Sequence, residues 1–180
     1  ECEAMLRPRA DEKAIILTAR VAKGHRGLLV SKRAARQIVL NLLSNALKFT
    51  PDGGAVTIDV DDDCERTEIR VSDTGIGIAV ENLPSIGNPF FQVRCKDRPQ
   101  DEGIGLGLYL VKELVAAHEG TFAIESRTGD GTTVTVTLPD SGPLTETGLD
   151  RKVAWQSQQA DVTENEEKSG EMRYGHASTA

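Results

Sequence analysis

Apolar residues recur along this chain with two different periods. Over residues 32–49 they fall at Ile38, Val39, Leu42, Leu43, Ala46 and Leu47, spaced by three and four, which predicts an amphipathic helix. Ser31, just ahead, is a residue type that accepts a hydrogen bond from the free N–H groups of a helix start. Pro51-Asp52-Gly53-Gly54 behind it predicts the stop and a turn. Residues 105–117 (GLGLYLVKELVAA) repeat the helical spacing and predict a second helix. Elsewhere apolar and polar positions alternate, as in strands. Residues 56–60 and 68–72 predict a hairpin, and residues 121–126 and 132–138 predict two further strands around a Gly-containing turn at 128–131. Residues 14–21 (AIILTARV) predict one more strand, and residues 28–30 a second, short one. Residues 73–99 predict little regular structure beyond a helical turn near 80–83. An order of strand, helix, two strands, long loop, helix and two strands predicts one sheet covered on one face by helices.

Composition divides the chain at its ends. Residues 1–13 are polar and read as the end of a preceding helix or a linker. Residues 14–139 carry the Val, Ile, Leu and Gly of a folded domain. Residues 140–180 are mostly Ser, Thr, Gln, Glu, Asp and Gly, too poor in apolar surface to offset their ordering entropy, and are expected to be a disordered acidic tail. That tail holds eight acidic and four basic residues, so it supplies −4 of the formal net charge of −7. No Lys/Arg cluster offers a nucleic-acid face. Cys2, Cys64 and Cys95 make no CxxC pair and no zinc pattern with His25, His118 or His176, which reads as free thiols in a cytosol. No apolar run approaches the ~18 residues of a membrane span. No signal peptide opens the chain, and its start at Glu1 suggests a piece of something longer, with any membrane anchor upstream. The expectation is a cytoplasmic, monomeric fragment that makes no membrane contact itself.

Four polar or glycine-rich stretches stand out against this frame. Asn41, Asn45 and Lys48 share one face of the first helix; amide oxygens ligate Mg2+ and an ammonium meets phosphate. Asp73-Thr-Gly-Ile-Gly-Ile78 follows a strand, so a carboxylate at a strand end precedes a backbone that can approach a ligand closely. Gly103-Ile-Gly-Leu-Gly-Leu108 opens the second helix, where free N–H groups and the helix dipole favour an anion. Its glycine spacing is neither the dinucleotide fingerprint nor the GxxxxGK[ST] loop. Gly129-Asp-Gly-Thr-Thr133 precedes the last strand. Taken singly, each has a plain structural account: a solvent-facing helix stripe, an ordinary turn, a helix start, a hairpin turn.

Taken in order, they resemble the N, G1, G2 and G3 boxes of sensor histidine kinases, in the wider ATPase superfamily that includes gyrase, Hsp90 and MutL. The matching text is RQIVLNLLSNALKFTPDGG, DTGIGI, PFFQV, EGIGLGLYLVKELVAAHEG and GDGTTVTVTLP, and it covers roughly residues 14–139. NLPSIGNPFFQV is most similar to the alphaproteobacterial cell-cycle kinases of the PleC and DivJ type. The resemblance implies a Bergerat ATP-binding fold: a two-layer α/β sandwich, its mixed, mostly antiparallel sheet carrying three helices on one face. It implies ATP and Mg2+ as ligands. Asn45 would ligate Mg2+, with Asn41 as a second candidate, and Asn41 and Lys48 would sit near the phosphates. Asp73 would hydrogen-bond the adenine amino group in a pocket shaped by Gly75 and Gly77. Gly103, Gly105 and Gly107 would flank the triphosphate, with Leu106 and Leu108 in the same nucleotide-binding set. Residues 90–102 would form a mobile lid whose Arg94, Lys96 and Arg98 meet the γ-phosphate or a partner domain, and Thr132 and Thr133 would lie by the adenine pocket.

The chain departs from the usual pattern at Ser31, where an acidic residue is common, and at Ala35, where Leu is. The usual HGG after the second helix is His118-Glu119-Gly120, so left-handed backbone is expected at Glu119. In such kinases the phosphoryl acceptor is a histidine followed by an acidic residue on a separate helical hairpin. Neither His25, His118 nor His176 fits that description as a helix-borne acceptor, so no autophosphorylation within this chain is expected. Hydrolysing relatives place a Glu where Asn41 stands, and a neutral amide cannot serve as a general base for water. The implied role is therefore to bind Mg·ATP and donate its γ-phosphoryl group to the hairpin of the full-length kinase, upstream of a response regulator. A regulatory nucleotide-binding module of a degenerate kinase, or an ATP-hydrolysing relative, stay open beside it.

Overall fold

The computed structural model describes residues 1–22, 30–62, 66–93 and 104–139. The expected tail, and most of the expected lid and of the short strand at 28–30, lie outside the described residues. Among the described residues nine elements follow one another: α1 (Cys2–Glu12), β1 (Ile16–Val21), α2 (Lys32–Phe49), β2 (Ala55–Asp62), β3 (Arg66–Asp73), a 3-10 stretch (Val80–Ser85), α3 (Gly107–Ala117), β4 (Thr121–Arg127) and β5 (Gly131–Pro139). The five strands form one sheet in the order β1-β2-β3-β5-β4, with β1 parallel to β2 and every other pair antiparallel.

Register gathers the apolar positions of all five strands on one face. Leu17 lies opposite Val56, Ile58 opposite Val71, Val71 opposite Val134, and Val134 opposite Ile124. The same face carries Ile69, Val136 and Leu138, all but wholly buried. Because side chains alternate along a strand, the other face keeps most of the Thr and charged positions, while Thr67, Asp73, Ser126 and Thr132 share the core-facing side. Against the apolar face lie Ile38, Leu42, Leu43 and Leu47 of α2 and Val111 and Val115 of α3, in one continuous core. Three helices over one face of a mixed, mostly antiparallel sheet is the architecture expected.

Local chemistry fixes the ends of α2. Ser31 accepts a hydrogen bond from Ala34 N at 3.1 Å, satisfying one of the free donors of the first turn. At the other end the Nζ of Lys13 donates to the carbonyls of Leu47, at 2.8 Å, and of Lys48 and Thr50. An ammonium there satisfies acceptors left over by the helix and meets the negative end of its dipole. Residues 2–12 are helical and join the domain's own core: Ala10 is fully buried, and Cys2 and Leu6 pack beside it.

The second helix begins at Gly107 rather than residue 105, because Gly105 adopts φ +76°, outside the right-handed helix. Glu119 does take left-handed backbone, with φ 55°. The chain turns there into β4, with Gly120 N donating to Val115 O at 2.9 Å.

Candidate functional site

The chemistry-bearing stretches meet along one edge of the helix layer. Asn41, Asn45 and Lys48 rise along α2, each partly exposed. Asn41 stands against the start of α3: a Cβ placed on Gly107 would come within 3.4 Å of its Oδ1 and 3.7 Å of Asn45 Nδ2. The helix start therefore lies beside both amides. Among the described residues the start of α3 has no side-chain cap, and its first turn holds no acidic residue. Its free N–H groups and the positive end of the helix dipole favour an anion at that spot. Asn41 Nδ2 is buried without a hydrogen-bond partner among the described residues, which costs free energy unless a ligand or water meets it. The donor set suits Mg·nucleotide: neutral amide oxygens for a hard cation, and a helix N-terminus for phosphate.

Asp73 lies farther along, at the end of β3. Its Oδ1 accepts from Gly75 N at 2.8 Å and from Thr132 N at 3.2 Å, and no bond reaches Oδ2 within the described residues. Burial raises the carboxyl above its ordinary pKa, and those two backbone donors oppose the shift. The glycines around Asp73 make the close packing possible. A Cβ on Gly75 would meet Asp73 Oδ1 at 2.5 Å and Phe49 O at 2.7 Å; one on Gly77, where φ is +67°, would meet Arg127 O at 1.9 Å. Ile76 N donates to Phe49 O at 3.2 Å, which ties the loop after Asp73 to the end of α2.

The model of one protein family, described as histidine kinase-, DNA gyrase B- and HSP90-like ATPase, matches residues 30–142. The chain belongs to this ATPase family. Among curated relatives, an uncharacterized sensor-like histidine kinase of Rhizobium meliloti is 45% identical over 138 residues, covering 77% of this chain and 26% of the relative. The histidine protein kinase DivJ of Caulobacter vibrioides is 44% identical over 135 residues, covering 75% of this chain and 22% of DivJ. The chain therefore spans about a quarter of the length of these kinases and corresponds to their ATPase-family domain. In structure it is similar to full-length ShkA in complex with AMPPNP, with TM-score 0.68, 31% identity, and coverage of 78% of this chain and 29% of that one. The catalytic domain of the histidine kinase ThkA shares the fold, with TM-score 0.66 at 19% identity, over 78% of this chain and 90% of that one.

Within this family frame, the structure sorts the expected site residues. Asn41, Asn45 and Gly107 come together, as do Asp73, Gly75 and Thr132, while Gly77 packs against Arg127 and Thr128. Lys48 places its Nζ 5.0 Å from the centre of the Phe49 ring. Leu106 is the N-cap residue of α3 and is exposed, whereas Leu108 packs on the core. Gly105 closes against the loop before it, where a Cβ would lie 2.9 Å from Phe91 O. Thr133 is not with the others: it pairs with Ser72 on the sheet face away from the core, their hydroxyls 3.0 Å apart. A period of two separates it from Thr132. Arg94 and Gly103, like Lys96 and Arg98, lie outside the described residues. Two further residues bear on Asp73 beyond those given a role from sequence. Gly131, at φ +90°, leaves no room for a Cβ, which would fall 2.0 Å from Asp73 O. Ser126 sits in a strand that sequence marks only by its alternation. The GDG spelling carried a signal for Gly131; nothing in the sequence marked Ser126.

Proposed function

We propose that this domain binds Mg·ATP and donates the γ-phosphoryl group to a histidine on a separate helical hairpin of a full-length sensor kinase, which then passes it to a response regulator. The observation that carries the reading is the meeting of Asn41 and Asn45 with the N-terminus of α3, in a domain whose half-buried Asp73 keeps Oδ2 without a bond among the described residues. The ShkA structure, whose complex holds AMPPNP, supports a nucleotide as the ligand.

The roles follow from chemistry. Asp73 accepts a hydrogen bond from the adenine amino group through Oδ2, while Gly75 and Gly77 keep its loop close. The α3 N-terminus holds phosphate oxygens, and Lys48 adds positive charge near them. Asn45, with Asn41 beside it, holds Mg2+, which when bound neutralises charge on the phosphates. Asn41 offers no basic group to activate water, so an imidazole with its own lone pair is the better acceptor. The work left to the chain is to position ATP and keep water from competing.

Calorimetry with Mg·ATP tests the first half of the proposal, and incubation with a phosphoacceptor hairpin and γ-labelled ATP tests the second. Mg2+-dependent binding that Asp73→Asn lowers at least about a hundredfold is expected, the scale of losing a charge-assisted contact in a buried site. Transfer of label to the hairpin histidine is expected with little release of free phosphate. Binding without transfer to any acceptor leaves a regulatory nucleotide module; brisk phosphate release without an acceptor makes the domain an ATPase.

A further inference from the structure

We propose that Ser126 is a positioning residue that aims Asp73 and so sets the choice of nucleobase, a proposal that rests on the nucleotide-binding reading above. Ser126 belongs to none of the sequence motifs. It lies on β4 opposite Thr132, on the core-facing side of the sheet. Its Oγ is 2.8 Å from Ile78 N, 2.8 Å from Gly131 O and 2.9 Å from Thr132 Oγ1.

A hydroxyl has one proton and two lone pairs, which fixes the roles. Ile78 N–H can only donate and the Gly131 carbonyl can only accept. Ser126 therefore gives its proton to Gly131 O, and the Thr132 hydroxyl donates to Ser126. All three positions on the oxygen are used. Thr132 N in turn donates to Asp73 Oδ1, as does Gly75 N. The start of β5 is thus clamped between the Ser126 hydroxyl and the Asp73 carboxylate. The loop after Asp73 is held at both ends, Gly75 to Asp73 and Ile78 to Ser126. Between them Gly77 lies too close to Arg127 for any side chain, and Gly129 N donates to Ile76 O at 2.9 Å.

The direction of Asp73 Oδ2 thus depends on where Thr132 N and the 74–78 loop are held, and Ser126 holds both. An ionised carboxylate accepts from the amino group of adenine and repels the 6-oxo group of guanine. That discrimination needs the carboxylate fixed, because a group free to turn away loses both the attraction and the repulsion. Without the Ser126 hydroxyl, Ile78 N–H and Thr132 Oγ1–H lose their partner and the clamp opens.

The test titrates the full chain with Mg·ATP and with Mg·GTP, as wild type, Ser126→Ala and Ser126→Thr, and melts each variant. The expected result is an ATP-to-GTP affinity ratio about tenfold smaller in Ser126→Ala, the scale of one or two lost hydrogen bonds. Ser126→Thr keeps a hydroxyl on the same Cβ and is expected to recover the ratio. A purely structural role would lower the melting temperature and both affinities together. An unchanged ratio in Ser126→Ala, whatever its stability, overturns the proposal. So does a well-folded Ser126→Thr that fails to recover it. Wild type that binds neither nucleotide overturns the nucleotide reading itself, and with it any role for Ser126 in base choice.

Discussion

Ionised Asp73 is a cost to the fold. Burial raises its pKa, despite the two backbone N–H groups that stabilise the ionised form. The folded protein therefore holds the proton more tightly than the unfolded chain does. The sign follows: ionised Asp73 costs stability at pH above its folded pKa, and the cost disappears as pH falls through that value towards the ordinary carboxylate range. Asp73→Asn keeps an oxygen to accept from Gly75 N and Thr132 N and carries no charge to desolvate. We expect it to melt at or slightly above wild type at pH 7 in the absence of nucleotide. The advantage should shrink as pH is lowered, as thermal melts between pH 7 and 4 would register. A variant that melts well below wild type at pH 7 would mean that the charge itself holds the loop.

Among the helices, α2 depends on a residue outside its own sequence. Its N-terminus is legible, because Ser31 stands where a capping side chain belongs and Ala34 N uses it. Its stop is legible too, in Pro51-Asp52-Gly53-Gly54, but nothing in the run to Phe49 shows that Lys13 satisfies the carbonyls of Leu47, Lys48 and Thr50. That contact spans more than thirty residues of chain, and sequence periodicity reports only neighbours. It also bears on the site, because Phe49 O in the same turn accepts from Ile76 N. Replacing Lys13 by Met removes the charge while keeping an unbranched stem. We expect it to lower the unfolding free energy by about 1.5–3 kcal/mol, the range for hydrogen bonds to a charged group. Urea denaturation measures this directly, and a loss below about 0.5 kcal/mol would mark the contact as incidental.

For the molecule as a unit, the question is where the domain begins. Composition separates residues 1–13 from the apolar stretch that follows, yet Ala10 is fully buried in the core and Lys13 caps α2. A chain starting at residue 14 would open the core beside Ile15 and Leu17 and strip the cap from α2 together. We expect its melting midpoint to fall by at least about 10 °C, the shift that a few kcal/mol produces in a domain of this size. A truncated chain that melts with the full chain would show that α1 is an appendage. No helix among the described residues is long and apolar enough to cross a membrane.

Most of the architecture could be read from the pattern of residues alone. The spacing of Ile38, Leu42 and Leu47, and the alternation through β2, β3, β4 and β5, report burial directly, because a buried face must recur with the period of its own element. The glycine-rich motifs were legible for a similar reason: backbone that must turn sharply or approach closely leaves glycine in the sequence. Other features depended on pairing between distant segments. Thr132 and Thr133 are adjacent and alike in chemistry, yet the register of β5 against β3 sends one toward Asp73 and the other to the far face. Ser126 and Lys13 carry no local signature, since a serine in a strand and a lysine after a helix are ordinary residues. Their roles arise from hydrogen bonds to Gly131, Ile78, Leu47 and Thr50, whose positions exist only once the sheet and helices have packed.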